Sequence, residues 1–180
     1  AISLLAVKEQ FSFAVIIDSI KCITPAPGRM QAYSKKGCAS AVVDFAHTPD
    51  ALKNVLTTLK KQNTGKLALV FGCGGNRDAD KRPQMAKIAE EIADVITITA
   101  DNPRKEKLET IIADIQSGLD PDSNTRVEVE LDRTQAITSA LAELTNNDLL
   151  LIAGKGHEDY QDIDGVKIPY SDEGVLLSLG

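Results

Sequence analysis

The chain has 180 residues, 43% of them hydrophobic, which suits one globular domain carrying at most a piece of a neighbour. A net charge of -6 and the lack of any polybasic run exclude a general nucleic-acid surface, which needs clustered lysine and arginine against phosphate. No apolar run reaches the roughly 18–20 residues of a membrane span, and the apolar Ala1–Ala6 has neither a basic flank nor a cleavage site, so no membrane partner or signal peptide is expected.

Residues 1 to about 23 mix apolar and helical character and run into Thr24-Pro25-Ala26-Pro27-Gly28, the best boundary signal in the chain. We therefore read residues 1–25 as the tail of a preceding domain and 26–180 as a domain in its own right; the start without Met is expected of a fragment. Ala41–Ala46 reads as a buried strand, after which Pro49 and Asp50 open a helix with Leu52, Val55, Leu56 and Leu59 on one face. Leu67–Phe71 is a second strand, ended by Gly72-Cys73-Gly74-Gly75, and Pro83–Ala93 is a helix. Val95–Thr99 is a third strand, and Glu106–Ser117 a helix with Gly118 as its C-cap. Arg126–Glu130 is a short strand, Arg133–Leu144 a helix and Leu149–Ala153 a fifth buried strand. Tyr160–Ile163 and Val166–Pro169 flank Asp164-Gly165, a hairpin turn that predicts a small antiparallel element at the sheet edge. Strands alternating with helices predict an α/β fold: a Rossmann-like, mostly parallel sheet with helices on both faces.

The three cysteines, Cys22, Cys38 and Cys73, are odd in number and show no CxxC spacing, which fits a reducing, cytoplasmic compartment better than a disulfide scaffold. The two histidines, His47 and His157, have no ligand cluster about them, so no metal site is expected from this chain.

Ligands of open parallel sheets bind beyond the carboxyl ends of the strands. The unusual polar residues fall there. The strand endings are Asp44-Phe45-Ala46-His47-Thr48-Pro49-Asp50, Gly72-Cys73-Gly74-Gly75-Asn76-Arg77-Asp78, Asp101-Asn102-Pro103-Arg104 and Gly154-Lys155-Gly156-His157-Glu158. Each has a bland reading. Asp44 is then a satisfied core carboxylate, His47 a helix cap, Gly72–Gly75 a tight turn, Asp101-Asn102-Pro103 ordinary turn chemistry and Gly154-Lys155-Gly156 a flexible exit with Glu158 solvated. Neither GxxxxGK[ST] nor GxGxxG occurs. What favours a composite site is the four endings on one rim.

In this order these segments, with Lys81-Arg82-Pro83, resemble those of the Mur ligases, the ATP-dependent amino-acid ligases of peptidoglycan synthesis, and Gly28-Arg29-Met30 resembles the motif that opens their C-terminal domain. The likeness covers nearly the whole chain. It departs at Asn76, where the family more often has Asp, and the Walker-type lysine loop of the family's central ATPase domain is absent. The resemblance implies that residues 1–25 end that central domain and that 26–180 form the Rossmann-like amino-acid-binding domain. It also implies a reaction. ATP activates the carboxylate of UDP-N-acetylmuramoyl-L-alanyl-D-glutamate as an acyl phosphate, and the amine of an incoming amino acid displaces phosphate. ATP and Mg2+ would be held mainly by the other domains.

By the same resemblance Arg29 would reach a phosphate and act in catalysis, with Asp44 and His47 at the ribose and base. The amino-acid site would comprise Arg77, Asp101, Asn102, Pro103, Arg104, Gly154 and Glu158. Meso-diaminopimelate has a second amino-carboxylate where lysine has only an amine. Arg104 offers a planar fork for that carboxylate, and Glu158 a partner for its ammonium. Arg77 would take the carboxylate nearer the reacting amine. A site that leaves a buried polar group unpaired rejects an analogue by about 10⁴–10⁵, so diaminopimelate is expected over lysine. The alternatives are a lysine-adding or folylpolyglutamate-type ligase domain, and a stand-alone nucleotide or amino-acid binding module.

Overall fold

The computed structural model describes residues 26–34 and 38–179. The expectation for residues 1–25 lies outside the described residues.

Among the described residues eight strands and five helices follow one another. They are β1 (Gln31–Tyr33), β2 (Ser40–Asp44), α1 (Pro49–Gln62), β3 (Leu67–Phe71), α2 (Lys81–Ile92), β4 (Val95–Ile98), α3 (Leu108–Gln116), β5 (Arg126–Val129), α4 (Arg133–Ala142), β6 (Leu149–Ala153), β7 (Tyr160–Ile163), β8 (Val166–Pro169) and α5 (Asp172–Ser178). Six strands form one sheet in the order β1-β2-β6-β3-β4-β5, parallel except for β1.

The central strands are continuous apolar runs because helices cover both of their faces. On one face Leu69, Phe71, Ile96 and Ile98 pack with Leu52, Leu56, Met85, Ala89, Ile111 and Ile115 of α1, α2 and α3. On the other, Val43, Val70, Leu150 and Ile152 pack with Ala136 and Ile137 of α4 and Val175 and Leu176 of α5. Capping sets the helix starts. Thr48 accepts from the Ala51 N–H, Asp132 from Thr134 and Gln135, and Ser171 from Gly174, each satisfying amides that have no intrahelical partner.

Register decides where the site falls. Asp44 and Phe71 both pair with Ala153, so β2, β6 and β3 end flush. The crossover through α4 returns β6 between β2 and β3, and the loops after β2, β6, β3 and β4 therefore lie side by side on one rim.

The structure corrects the sequence reading in several places. The hairpin β7–β8 forms its own two-stranded sheet rather than an edge of the large one; β1, absent from the reading, occupies that edge. Helix α5 was also missed, since seven residues give too little periodicity to register. Gly118 is not left-handed. Its role is close approach, because a Cβ there would lie 2.0 Å from the carbonyl oxygen of Pro83. Helix ends shift by two residues or so, as at Lys81 rather than Pro83, because the hydrophobic period marks a helix's middle better than its caps.

Candidate functional site

The four loops enclose a cavity of about 400 Å3 lined by Phe45, His47, Thr48, Gly74, Arg77, Asp78, Lys81, Asp101, Asn102, Arg104, Gly154 and Glu158. Of the residues singled out from sequence, His47, Arg77, Asp101, Asn102, Arg104, Gly154 and Glu158 meet there. Pro103 lines an adjoining depression of about 580 Å3, which Arg104 also borders. Arg29 and Asp44 lie outside the cavity wall. The Met30 N–H donates to Asp44 Oδ2 at 2.8 Å, and the Arg29 guanidinium sits 5.6 Å from the centroid of the Phe45 ring. That ring is also 4.6 Å from His47 and 5.6 Å from His157, so the end of β2 carries an aromatic cluster with a cation over it. His47 does not cap α1; Thr48 does, and His47 Nδ1 is 2.8 Å from the Phe45 carbonyl oxygen.

Arg104 has φ of 54°, unusual for a residue with a side chain. Strand β7 holds it there. The Arg104 N–H donates to Asp162 O at 2.9 Å, and the Asp164 N–H donates to Arg104 O at 2.7 Å. Its Nη1 donates to Gly75 O at 2.8 Å, and among the described residues no carboxylate pairs with the guanidinium. A Cβ on Gly74 would lie 2.8 Å from Arg104 Nη1 and 3.8 Å from Arg77 Cγ, so the two arginines flank that glycine. Asp101, Asn102 and Glu158 line the same cavity. Asn102 Nδ2 donates to Glu158 Oε2 at 2.8 Å, and Lys155 Nζ reaches the same oxygen at 3.1 Å. Burial pushes the Asp101 carboxyl above the ordinary carboxylate range, against the pull of Arg133 and Lys155. The lining thus carries both cationic and anionic side chains, a complement to a zwitterion.

Three features escaped the sequence reading. Lys81 lines the cavity and donates to His47 O at 2.8 Å, joining the loops after β2 and β3. Arg82, fully buried, donates to Glu106 at 2.6 and 2.8 Å, to Asp114 at 2.7 Å and to Gly74 O at 3.2 Å, tying the glycine loop to the start of α3. Lys155 is completely buried. The first two were legible only as part of Lys81-Arg82-Pro83, with nothing local to say that one arginine points inward. Asn76, the departure from the family pattern, takes φ of 52° and accepts the Lys105 N–H, both of which suit Asn. Burial pushes the Cys73 thiol up to about 12, so the cysteine in the glycine loop packs as a small hydrophobe and is no nucleophile.

The Arg82 guanidinium and the Asn76 N–H hold the Glu106 carboxyl down to about 2, from an ordinary 4.5. A folded-state value below the unfolded one means that this contribution to stability is complete above pH 4.5 and fades as pH falls toward 2. Urea unfolding at pH 7 and pH 3 should therefore show a smaller acid loss in Glu106→Gln than in the parent; equal losses would show that the pair is not coupled to folding.

Among the described residues no group of three or more His, Cys, Asp or Glu side chains converges to hold a metal ion. The described side chains on the rim do not by themselves make a magnesium site. No described helix is long and apolar enough to cross a membrane.

Residues 28–156 match the family model described as Mur ligase, glutamate ligase domain. The chain is 48% identical over 166 residues to a UDP-N-acetylmuramoyl-L-alanyl-D-glutamate--2,6-diaminopimelate ligase of Aquifex aeolicus, covering 92% of this chain and 33% of that protein. It is 50% identical over 153 residues to the protein of the same name from an Acidovorax species, covering 83% and 30%. A solved structure of a ligase of that name superposes with a TM-score of 0.80 at 40% identity, over 97% of this chain and 36% of that one. A folylpolyglutamate synthase of Mycobacterium tuberculosis, solved with ADP and AMPPCP, superposes at 0.63 with 19% identity over 81% and 33%, a likeness of fold alone. The chain spans about a third of the length of the curated relatives it matches.

Proposed function

The chain belongs to the Mur ligase family through its glutamate ligase domain, and from that premise we propose that it holds meso-diaminopimelate for ATP-dependent amide bond formation onto UDP-N-acetylmuramoyl-L-alanyl-D-glutamate in a full-length ligase. The observation that carries this reading is a guanidinium, Arg104, with no carboxylate partner among the described residues, in a cavity that also holds Glu158 with one oxygen, Oε1, accepting from no described residue. A distal amino-carboxylate supplies both missing charges. Lysine supplies one.

In this reading Arg104 binds the distal carboxylate through its remaining donors, and Glu158 Oε1 takes the distal ammonium. Arg77, exposed at the cavity mouth, binds the carboxylate beside the reacting amine. Gly154 leaves room for the ligand's chain, while Asp101, Asn102 and Pro103 shape the wall that carries Arg104. At the end of β2, Asp44, His47 and the Phe45 ring suit the ribose and base of ATP, and exposed Arg29 is the cation that domain closure would carry to its phosphates. ATP supplies the activation of the acceptor carboxylate. The domain contributes orientation, presenting the amine and excluding water, effects worth several kcal/mol in a bimolecular reaction, of order 7–11 in favourable cases.

The test is substrate choice in the full-length ligase, following ADP release and product mass with meso-diaminopimelate or lysine. Diaminopimelate should be preferred by at least about a hundredfold in kcat/KM. Equal or faster turnover of lysine would refute the reading.

A further inference from the structure

Lysine is almost never fully buried, because an ammonium taken from water is costly unless its donors find acceptors. Lys155 is completely buried, although it lies on the rim just two residues past the end of β6. The backbone enforces this. Gly154 and Gly156, on either side, adopt φ of 116° and 54°, conformations that side chains resist. A Cβ at 154 would lie 2.8 Å from Asp101 Oδ2, and one at 156 would lie 2.7 Å from Phe45 Cβ. The Gly-Lys-Gly run is therefore a tight turn that seats the lysine between the loops after β4 and β6.

Its ammonium donates to Asn102 Oδ1 at 3.0 Å and to Glu158 Oε2 at 3.1 Å, with Asp101 Oδ1 3.8 Å away. The rings of Tyr160 and Tyr170 lie 5.8 and 6.0 Å off. Lys155 is not part of the cavity wall, yet Asn102, Glu158 and Asp101, the three groups it engages, all are. Asn102 completes the frame. Its Nδ2 donates to Glu158 Oε2 at 2.8 Å, and its Oδ1 also accepts the Asp162 N–H at 2.9 Å. Both donors thus converge on one oxygen of Glu158, and the other is left for a ligand.

We propose that Lys155 is the positioning residue of the amino-acid site. It clamps Oε2 of Glu158 and the amide of Asn102, so that Oε1 is presented in one orientation to the ligand's ammonium. It also offsets the charges of Asp101 and Glu158 in a cavity that must admit carboxylates. The inference rests on the diaminopimelate reading and deepens it by naming what sets the ammonium end of the site. Without the clamp Glu158 gains rotamers that binding must freeze again, and its carboxylate charge, no longer offset, repels the ligand's carboxylates. Both effects fall on binding rather than on the chemical step.

The experiment is steady-state kinetics of the full-length ligase carrying Lys155→Met, which keeps length and removes charge. The KM for diaminopimelate should rise roughly ten- to a hundredfold, from reordering Glu158 on binding and from carboxylate charge no longer offset by Lys155. The KM for ATP and kcat at saturating diaminopimelate should stay within about threefold of the parent. In a Glu158→Gln background the same change should add less than about threefold, since the group being positioned is already altered. A diaminopimelate KM unchanged in Lys155→Met overturns the proposal, as does a full, additive loss in the Glu158→Gln background, because a purely structural lysine would act in either. If Lys155→Met does not fold by near-UV circular dichroism, Lys155→Gln, which keeps an N–H for Asn102 Oδ1, is measured the same way. A folded Lys155→Gln with raised KM supports the role; a parental KM, or failure of both variants to fold, removes it. A parent enzyme that does not use diaminopimelate at all defeats the underlying reading before any variant is made, whereas a parent that does, matched by Lys155→Met, defeats only the role of Lys155.

Discussion

Arg104→Ala in the full-length ligase is expected to lower kcat/KM for meso-diaminopimelate by about a hundred- to ten-thousandfold, while leaving the KM for ATP near its parental value. The reason is countable. One donor of the guanidinium is taken by Gly75 O, and the others have no protein acceptor among the described residues. A distal carboxylate that received two of them would gain two charge-assisted hydrogen bonds, worth about 1.5–3 kcal/mol each, and every 1.4 kcal/mol is about tenfold. Arg104→Lys should fall between, since it keeps the charge and loses the fork. The substitution leaves the Arg104 N–H and carbonyl bonds to β7 in place, so the loop should survive it. Arg104→Gly sharpens the test. Glycine relieves the strain at φ 54°, so that variant should be at least as stable as the parent and still as defective as Arg104→Ala. Parental kcat/KM in either variant would sink the assignment.

The largest expected effect on stability is at Arg133. Its Nε and Nη2 donate to Asp172 at 2.8 and 2.9 Å, Nη1 to Ala100 O at 3.1 Å and Nη2 to Ala153 O at 3.1 Å. Both side chains are 0% exposed. The pair joins the first turns of α4 and α5 to the chain just beyond β4 and to the last residue of β6, directly behind the rim. Arg133→Met leaves the Asp172 carboxylate buried with, among the described residues, only the Tyr170 hydroxyl as donor, and orphans two carbonyls. Breaking one side of such a pair costs about 3–5 kcal/mol, which for a chain of this size lowers Tm by roughly 6–20 °C. Arg133→Met combined with Asp172→Leu should recover much of the loss, because two apolar side chains need no partner. Thermal unfolding of the three proteins checks this. A single variant within about 1 kcal/mol of the parent would show that water replaces the lost bonds.

The class of fold and the four rim loops were legible in the sequence because each rests on local chemistry. Buried parallel strands read as unbroken apolar runs at Leu67–Phe71 and Leu149–Ala153, and glycine, proline and charge gather where such strands end. Strand β1 was missed because Gln31-Ala32-Tyr33 is too short to carry a period, and its pairing with β2 is a long-range fact. The hairpin was found but placed at the sheet edge, since a turn signal specifies two strands and says nothing about where they dock.

The side chains that organise the rim could not be found in this way. Lys155, Arg82 and Arg133 look like any other cations in the sequence, and lysine and arginine on a loop or helix are solvated by default. Their burial depends on acceptors far along the chain: Asn102 for Lys155, Glu106 for Arg82 and Asp172 for Arg133. What the sequence by itself determined was the alternation of strand and helix and the kinds of groups at each strand's end, because both arise from neighbours within a few residues. Only the tertiary structure decided that β6 enters between β2 and β3, that four loops share one cavity, and which cations face a ligand and which support it from behind. That division has a physical cause: hydrophobic periodicity and turn chemistry act over a few residues, whereas a charge can be buried only where the fold brings it a partner.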